Sequence, residues 1–144
     1  MKSANEMPGE LQPRMRLHLW LEVEGGMVLG LGRAMLLAKV HELGSLNKAA
    51  KAMGMSYRAA WGRLKKTEDL LGLPLVVSSG GRSGFTLTPL GESLVKSFQR
   101  WHEDVERYAL ETSHGLFPFE VRPFGGPEPF EPGEPSELDG DETE

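Results

Sequence analysis

The residues best placed to do chemistry lie between Gly44 and Gly72, in GSLNKAAKAMGMSYRAAWGRLKKTEDLLG. Tyr57, Arg58, Arg63, Lys65 and Lys66 follow one another closely there, and Lys48 and Lys51 precede them. At 100° per residue, Ala59, Gly62 and Lys66 share one helix face, with Arg58, Arg63 and Lys65 on its flanks. Small residues bordered by cations suit a helix that enters the DNA major groove. Its backbone can approach the base edges while the charges meet phosphates. A solvated basic face on an ordinary helical domain would use the same pattern. Other chemistries find little in the chain. His18, His41, His102 and His114 lack metal-ligand spacing, and Asp139, Asp141, Glu142 and Glu144 do not follow a calcium loop. Neither a G-x-S-x-G nor a phosphate-loop pattern occurs. No enzyme, cofactor or metal site is therefore expected.

The elements that must hold these residues are two helices joined by a tight turn. Ser45 can cap the first and Ser56 the second, each offering a side-chain oxygen to a free N–H of the opening turn. Ala49, Ala50 and Met53 form a narrow apolar stripe, and Gly54 stands where a left-handed residue ends a helix. On the second helix, Ala60, Trp61, Leu64 and Leu71 fall on the side expected to be buried, with Tyr57 near them. Short helix, glycine turn, longer helix is the shape of a helix-turn-helix.

What surrounds the motif can be read in chain order. Residues 1–14 are expected to form a flexible N-terminus. Arg16 to Glu24 alternates, with Leu17, Leu19, Leu21 and Val23 on one side, and predicts a half-buried strand. Gly25-Gly26 turns it into a short partner, Met27–Leu29. Leu31 to Leu43 predicts a helix ended by Gly44. After the motif, Leu73–Val77 and Phe85–Leu87 predict a hairpin around SSGGRSG, the wing of a winged helix, with Arg82 near its tip. Thr88 can cap a last helix that has Pro89 at its first position. There Leu90, Leu94, Phe98, Trp101, Val105 and Tyr108 make a stripe about five turns long. A small winged domain cannot cover all of it, so its outer part is expected to meet a second copy of the chain.

Charge divides the chain in the same way. The net charge is −5 and the pI about 5.4, yet residues 45–82 carry seven bases against Glu68 and Asp69. Residues 113–144 carry nine acids and one base, with repeated prolines, and read as an acidic, Pro-rich disordered tail. Its phenylalanines could fold back on the basic face or bind a partner protein; an inert tail is the plainer alternative. Binding follows the field at the contact surface rather than the total charge. The absence of cysteine fits a reducing cytoplasm, and no stretch reaches the roughly 20 apolar residues that span a bilayer.

The run from Leu17 to Tyr108 resembles the N-terminal DNA-binding domain of the molybdate-responsive ModE regulators and, more distantly, the winged helix of LysR-type regulators. The most specific piece is Gly54-Met55-Ser56-Tyr57-Arg58-Ala59-Ala60-Trp61, which opens the second helix of the motif. The resemblance implies a mainly α (α+β) winged helix-turn-helix over residues 15–112, with an N-terminal β-hairpin and a long C-terminal helix. It also implies a dimer on a palindromic operator. Carried over, Ser56, Tyr57 and Arg58 open the recognition helix and Arg82 falls in the wing. The wing glycine run is shorter than is usual in that family. Its full-length members also carry C-terminal oxyanion-binding domains, where this chain has only the acidic tail. Direct molybdate or tungstate sensing is therefore not expected.

The expected function is a cytoplasmic, sequence-specific DNA-binding transcriptional regulator that forms a homodimer on double-stranded DNA and contacts no membrane. Its contact residues would be Lys48, Ser56, Tyr57, Arg58, Arg63, Lys65, Lys66 and Arg82. The alternatives are a winged helix that binds proteins, or an architectural protein that binds DNA without sequence preference.

Overall fold

A computed structural model describes residues 11–80 and 84–125. Ten elements follow in order: β1 (Arg14–Met15), β2 (Trp20–Val23), β3 (Gly26–Gly30), α1 (Leu31–Leu43), α2 (Leu46–Ala52), α3 (Tyr57–Leu71), β4 (Val76–Ser78), β5 (Phe85–Leu87), α4 (Pro89–Ser113) and β6 (Arg122–Pro123). The described residues divide into two compact units, one of residues 18–99 and the other of residues 11–17 with 100–125.

The larger unit is a winged helix-turn-helix. Its helices start and stop where local chemistry dictates. Ser45 accepts a hydrogen bond from the Lys48 N–H, and Ser56 accepts one from the Ala59 N–H. Gly44 and Gly72 end α1 and α3 in the left-handed conformation, and Gly54 adopts it in the turn between α2 and α3. The Thr88 hydroxyl accepts from the Gly91 N–H and donates to the Pro74 carbonyl, tying the start of α4 to the entry of β4. Gly91 is required there, because a Cβ would collide with the Leu75 carbonyl oxygen.

The core of this unit gathers Leu36, Leu37 and Val40 of α1, Leu46, Ala49 and Ala50 of α2, and Ala60 and Leu64 of α3. Leu75, Val76 and Leu87 of the wing base and Val95 and Phe98 of α4 close it. The small alanines let α2 and α3 approach closely. α1 has an apolar surface on several sides, because β3, α2, α3 and β5 all pack around it. It buries Gly32, Arg33, Ala34, Leu36, Leu37 and Val40. His41 Nδ1 of α1 lies 3.6 Å from Glu92 Oε1 of α4.

The N-terminal hairpin departs from the alternating reading. β2 covers only Trp20–Val23, and its Leu21 and Val23 are both 45% exposed. The buried strand is β3, where Met27, Val28 and Leu29 are all in the interior. A register shift between Leu21 and Glu22 breaks the β2–β3 ladder. The alternation of Arg16–Glu24 marks two faces, but neighbouring elements cover β3 instead.

The wing is an antiparallel pair with Val76 opposite Leu87, Val77 opposite Thr86 and Ser78 opposite Phe85. Its base is anchored to the start of α2: the Phe85 N–H donates to the Gly44 carbonyl, and Ser45 bridges Gly84. Arg82 at the expected tip lies outside the described residues.

In the smaller unit β1 and β6 pair in parallel, with Arg14 beside Arg122 and Met15 beside Pro123. The Arg16 guanidinium sits 3.9 Å from the centre of the Phe124 ring, and the Phe117 and Phe119 rings stack 5.4 Å apart. Those contacts lie in the described part of the expected tail; residues 126–144, with most of its acids, lie outside the described residues, as does most of the expected flexible N-terminus. Asp104 holds Arg107 at 2.8 Å and Arg100 at 3.2 Å. Hydrogen bonding to Arg107 is the main reason that the Asp104 carboxyl is held below the usual aspartate range, with Arg100 adding to it.

Candidate nucleic-acid interface

The site is built on the first two turns of α3. Its N-terminus is capped by Ser56, whose hydroxyl is engaged with the Ala59 N–H, so this serine positions the helix rather than extending from it. No acidic residue occupies the first turn, which leaves the positive end of the helix dipole unopposed by neighbouring carboxylates. Tyr57 is 40% exposed and Arg58 is exposed beside it. Gly62 lies exposed one turn further on, with open space where a side chain would stand. Lys48, on the neighbouring α2, is also exposed. The start of α3 thus offers Tyr57, Arg58 and Gly62 to solvent, and the first turn of α2 offers Lys48.

The cations of α3 differ in what holds them. Arg63 is half-buried, and its Nη1 donates to Met55 Sδ at 3.5 Å. Lys65 lies 3.6 Å from Asp69 on the exposed surface. Lys66 corrects the helical-wheel reading. It is half-buried with its stem over the β2–β3 turn, where a Cβ on Gly26 would come within 3.0 Å of its Cε. A long aliphatic stem covering apolar surface is the usual way for lysine to be part-buried. The wheel angle assigned Lys66 an outward direction, but the N-terminal hairpin packs on that side of α3.

Trp61 is the second correction. Expected among the buried residues, it is 39% exposed. Its ring lies 6.1 Å from the ring of Phe85 in β5, so it links the recognition helix to the wing. The buried stripe of α3 is Ala60, Leu64 and Thr67.

Thr67 and its partner Arg33 were not singled out by sequence reasoning. Arg33 is 2% and Thr67 1% exposed. Arg33 Nη1 donates to the Met27 carbonyl at 2.6 Å and to Thr67 Oγ1 at 3.0 Å; Thr67 Oγ1 donates to the Val28 carbonyl at 2.7 Å. The available signal was a threonine at i+7 from Ala60 and i+3 from Leu64, a polar residue in a core position. A further unforeseen contact is that of Glu68, whose Oε2 accepts the N–H groups of Leu75 and Val76 at 2.7 and 3.2 Å. It joins the end of α3 to the start of the wing.

Among the described residues no group of acids and histidines is arranged to hold a metal ion, and no helix is long and apolar enough to cross a membrane.

Comparison with known proteins agrees with this architecture. Residues 31–92, from the start of α1 into α4, match the family described as bacterial regulatory helix-turn-helix proteins of the lysR family. The chain is 36% identical over 101 residues to the molybdenum-pterin-binding protein MopB of Rhodobacter capsulatus, a match covering 67% of this chain and 37% of that protein. It is 35% identical over 89 residues to the molybdenum transport protein ModE of Azotobacter vinelandii, covering 60% of this chain and 33% of that one. The chain thus spans about a third of the length of the curated relatives it matches. In the crystal structure of the CbnR DNA-binding domain in complex with DNA, 99% of that domain aligns with 61% of this chain, with a TM-score of 0.52 and 20% identity. That likeness carries the fold. Residues 31–92 thus match the LysR-type regulatory helix-turn-helix family, in a chain similar in sequence to MopB and ModE.

Proposed function

We propose that this chain is a sequence-specific DNA-binding transcriptional regulator of the ModE type, acting as a homodimer on double-stranded DNA in the cytoplasm. The observation that carries the reading is the exposed N-terminal part of α3, with Tyr57, Arg58 and Gly62 open to solvent, and an exposed Lys48 on α2. In this reading Tyr57 and Arg58 meet base edges or the adjacent phosphates. Ser56 fixes the helix start. Lys48, Arg63, Lys65 and Arg82 set the register on the backbone, and Lys66 adds charge from the hairpin side. The match of residues 31–92 to bacterial regulatory helix-turn-helix proteins supports the regulator class, and the likeness to ModE supports the type.

The dimer is supported by α4. Its stripe is buried at Phe98 but 38% exposed at Trp101 and 68% exposed at Tyr108. Large apolar groups at helical spacing on an open face fit pairing with a second copy.

Binding of a mixed-sequence duplex, followed across salt concentrations, tests the reading. Neutralising several phosphates makes log K fall linearly with log salt at about −0.9 per phosphate. A steep negative slope is expected. Absence of binding at low salt would return the chain to the protein-binding alternative.

A further inference from the structure

We infer that Arg33, acting through Thr67, is a positioning residue for DNA reading: it fixes the register of α3, and with it the place of Tyr57 and Arg58. The inference rests on the DNA-binding reading above and deepens it.

The fully buried stripe of α3 consists of Ala60, Leu64 and Thr67, with Leu70 and Leu71 part-buried against the core. Apolar contact is non-directional, so these contacts hold the helix in place more than they fix its rotation. Glu68 adds a directional tie to the wing at the C-terminal end. The hydrogen-bond chain at Thr67 is directional and lies within the core. Arg33 Nη1, Thr67 Oγ1 and the Val28 carbonyl form one directional series across α1, α3 and β3, at 3.0 and 2.7 Å. The same Nη1 is fixed from the other side by the Met27 carbonyl at 2.6 Å.

All of these groups are shielded from water, Arg33 and Thr67 almost completely. A buried hydroxyl or guanidinium that loses its partner is strongly penalised. One rotation and one translation of α3 satisfy the whole chain, so competing registers are disfavoured. A buried polar residue that selects one packing register has well-attested counterparts in other helical assemblies.

The reading end of α3 is rigidly connected to this lock. Thr67 stands ten residues beyond Tyr57 on one continuous helix, about 15 Å at 1.5 Å per residue. An axial slip or a rotation at Thr67 is therefore passed along to Tyr57 and Arg58. Hydrogen bonds to base edges demand directional alignment, whereas phosphate contacts tolerate displacement. Loss of the lock should degrade discrimination more than total affinity.

The test uses Thr67→Val, which removes the hydroxyl and keeps the shape, and Thr67→Ser, which keeps the hydroxyl and loses a methyl. Affinity is measured for the best duplex selected by the wild-type chain and for a scrambled duplex, at a temperature where each variant is folded by circular dichroism. Thr67→Val should lower the specific-to-scrambled ratio by about tenfold, the scale of one misplaced base contact, with scrambled binding little changed. Thr67→Ser should restore the ratio. Arg33→Met is the second probe, and its loss of discrimination should resemble that of Thr67→Val.

A Thr67→Val protein that melts earlier but keeps the wild-type ratio would overturn the inference, leaving a structural hydroxyl only. So would a Thr67→Ser protein as undiscriminating as Thr67→Val. If the wild type binds both duplexes equally or not at all, the DNA-reading role fails first and takes this inference with it. That outcome is recognised without any variant.

Discussion

The ring of Trp61 on α3 and the ring of Phe85 on β5 lie 6.1 Å apart, tilted by 36°. This contact joins α3 to the wing. The wing base is held from the other side by the Phe85 N–H on the Gly44 carbonyl, at the start of α2. Phe85 is thus held both by α3 and by the residue before the Ser45 cap of α2.

From this contact follows a coupling. Aromatic pairs at such separations contribute about 0.5–1.5 kcal/mol beyond their area burial. A double-mutant cycle of Trp61→Ala and Phe85→Ala, read by urea unfolding, should give a coupling in that range. Additive single mutants would mean that the rings stand side by side without holding one another.

Glu68 performs a second joining task. Its Oε2 accepts two backbone N–H groups, those of Leu75 and Val76, and Leu75 is fully buried. Glu68→Ala leaves these donors without their acceptor at the edge of the core and should cost about 1–3 kcal/mol. Amide exchange checks the cause: the Leu75 and Val76 amides should lose more protection than those of α1. A uniform loss across the unit would point to a general effect instead.

Arg58 is exposed and opens α3. If it reads a guanine, Arg58→Ala should cost about 1–3 kcal/mol on the preferred sequence and relax preference at one base pair. An equal loss on every sequence would make it a phosphate contact.

Asp104 gives a pH-dependent prediction. Its carboxyl is lowered chiefly by the hydrogen bond from Arg107 and further by Arg100, while the Arg107 guanidinium is raised in return. A depressed acid contributes stability above its unfolded pKa and loses it as pH falls through its folded pKa. The contribution of Asp104 should thus be present at neutral pH and fade in the acid range below the ordinary aspartate value. The group is on the surface, so the stability effect is small and salt-screened. The carboxyl carbon shift in NMR should titrate below that of an unstructured aspartate, and Arg107→Gln should move it back up. A normal midpoint in the wild type would contradict the paired geometry.

Much of this organisation is legible in the sequence because it rests on local chemistry. Ser45, Ser56 and Thr88 cap helices through their own hydroxyls. The limits of α1 and the strand Phe85–Leu87 follow from Gly44 and from the wing turn. What stayed hidden depends on which neighbour arrives. The alternation of Leu17 to Val23 marks two faces, but Leu21 and Val23 remain exposed while the adjacent Met27–Leu29 is buried. Helical angles set Lys66 outward, yet the hairpin turn at Gly26 packs beneath its stem. Arg33 reads as a surface cation by type, and its buried place is read from its bonds to the Met27 carbonyl and Thr67 in the fold. Arg58, read on the flank of the outward face, is exposed as that angle implies, whereas Tyr57, read near the buried side, is 40% exposed.

The most direct test of the central claim is selection of random genomic fragments by the purified chain at two salt concentrations, followed by sequencing. A dimer presenting two α3 helices should enrich an inverted repeat whose half-sites lie one DNA turn apart, about 34 Å, or a multiple of it. The repeat should persist at the higher salt while scattered fragments are lost. Salt-sensitive capture with no shared motif, or no capture at low salt, would contradict a sequence-specific dimeric regulator.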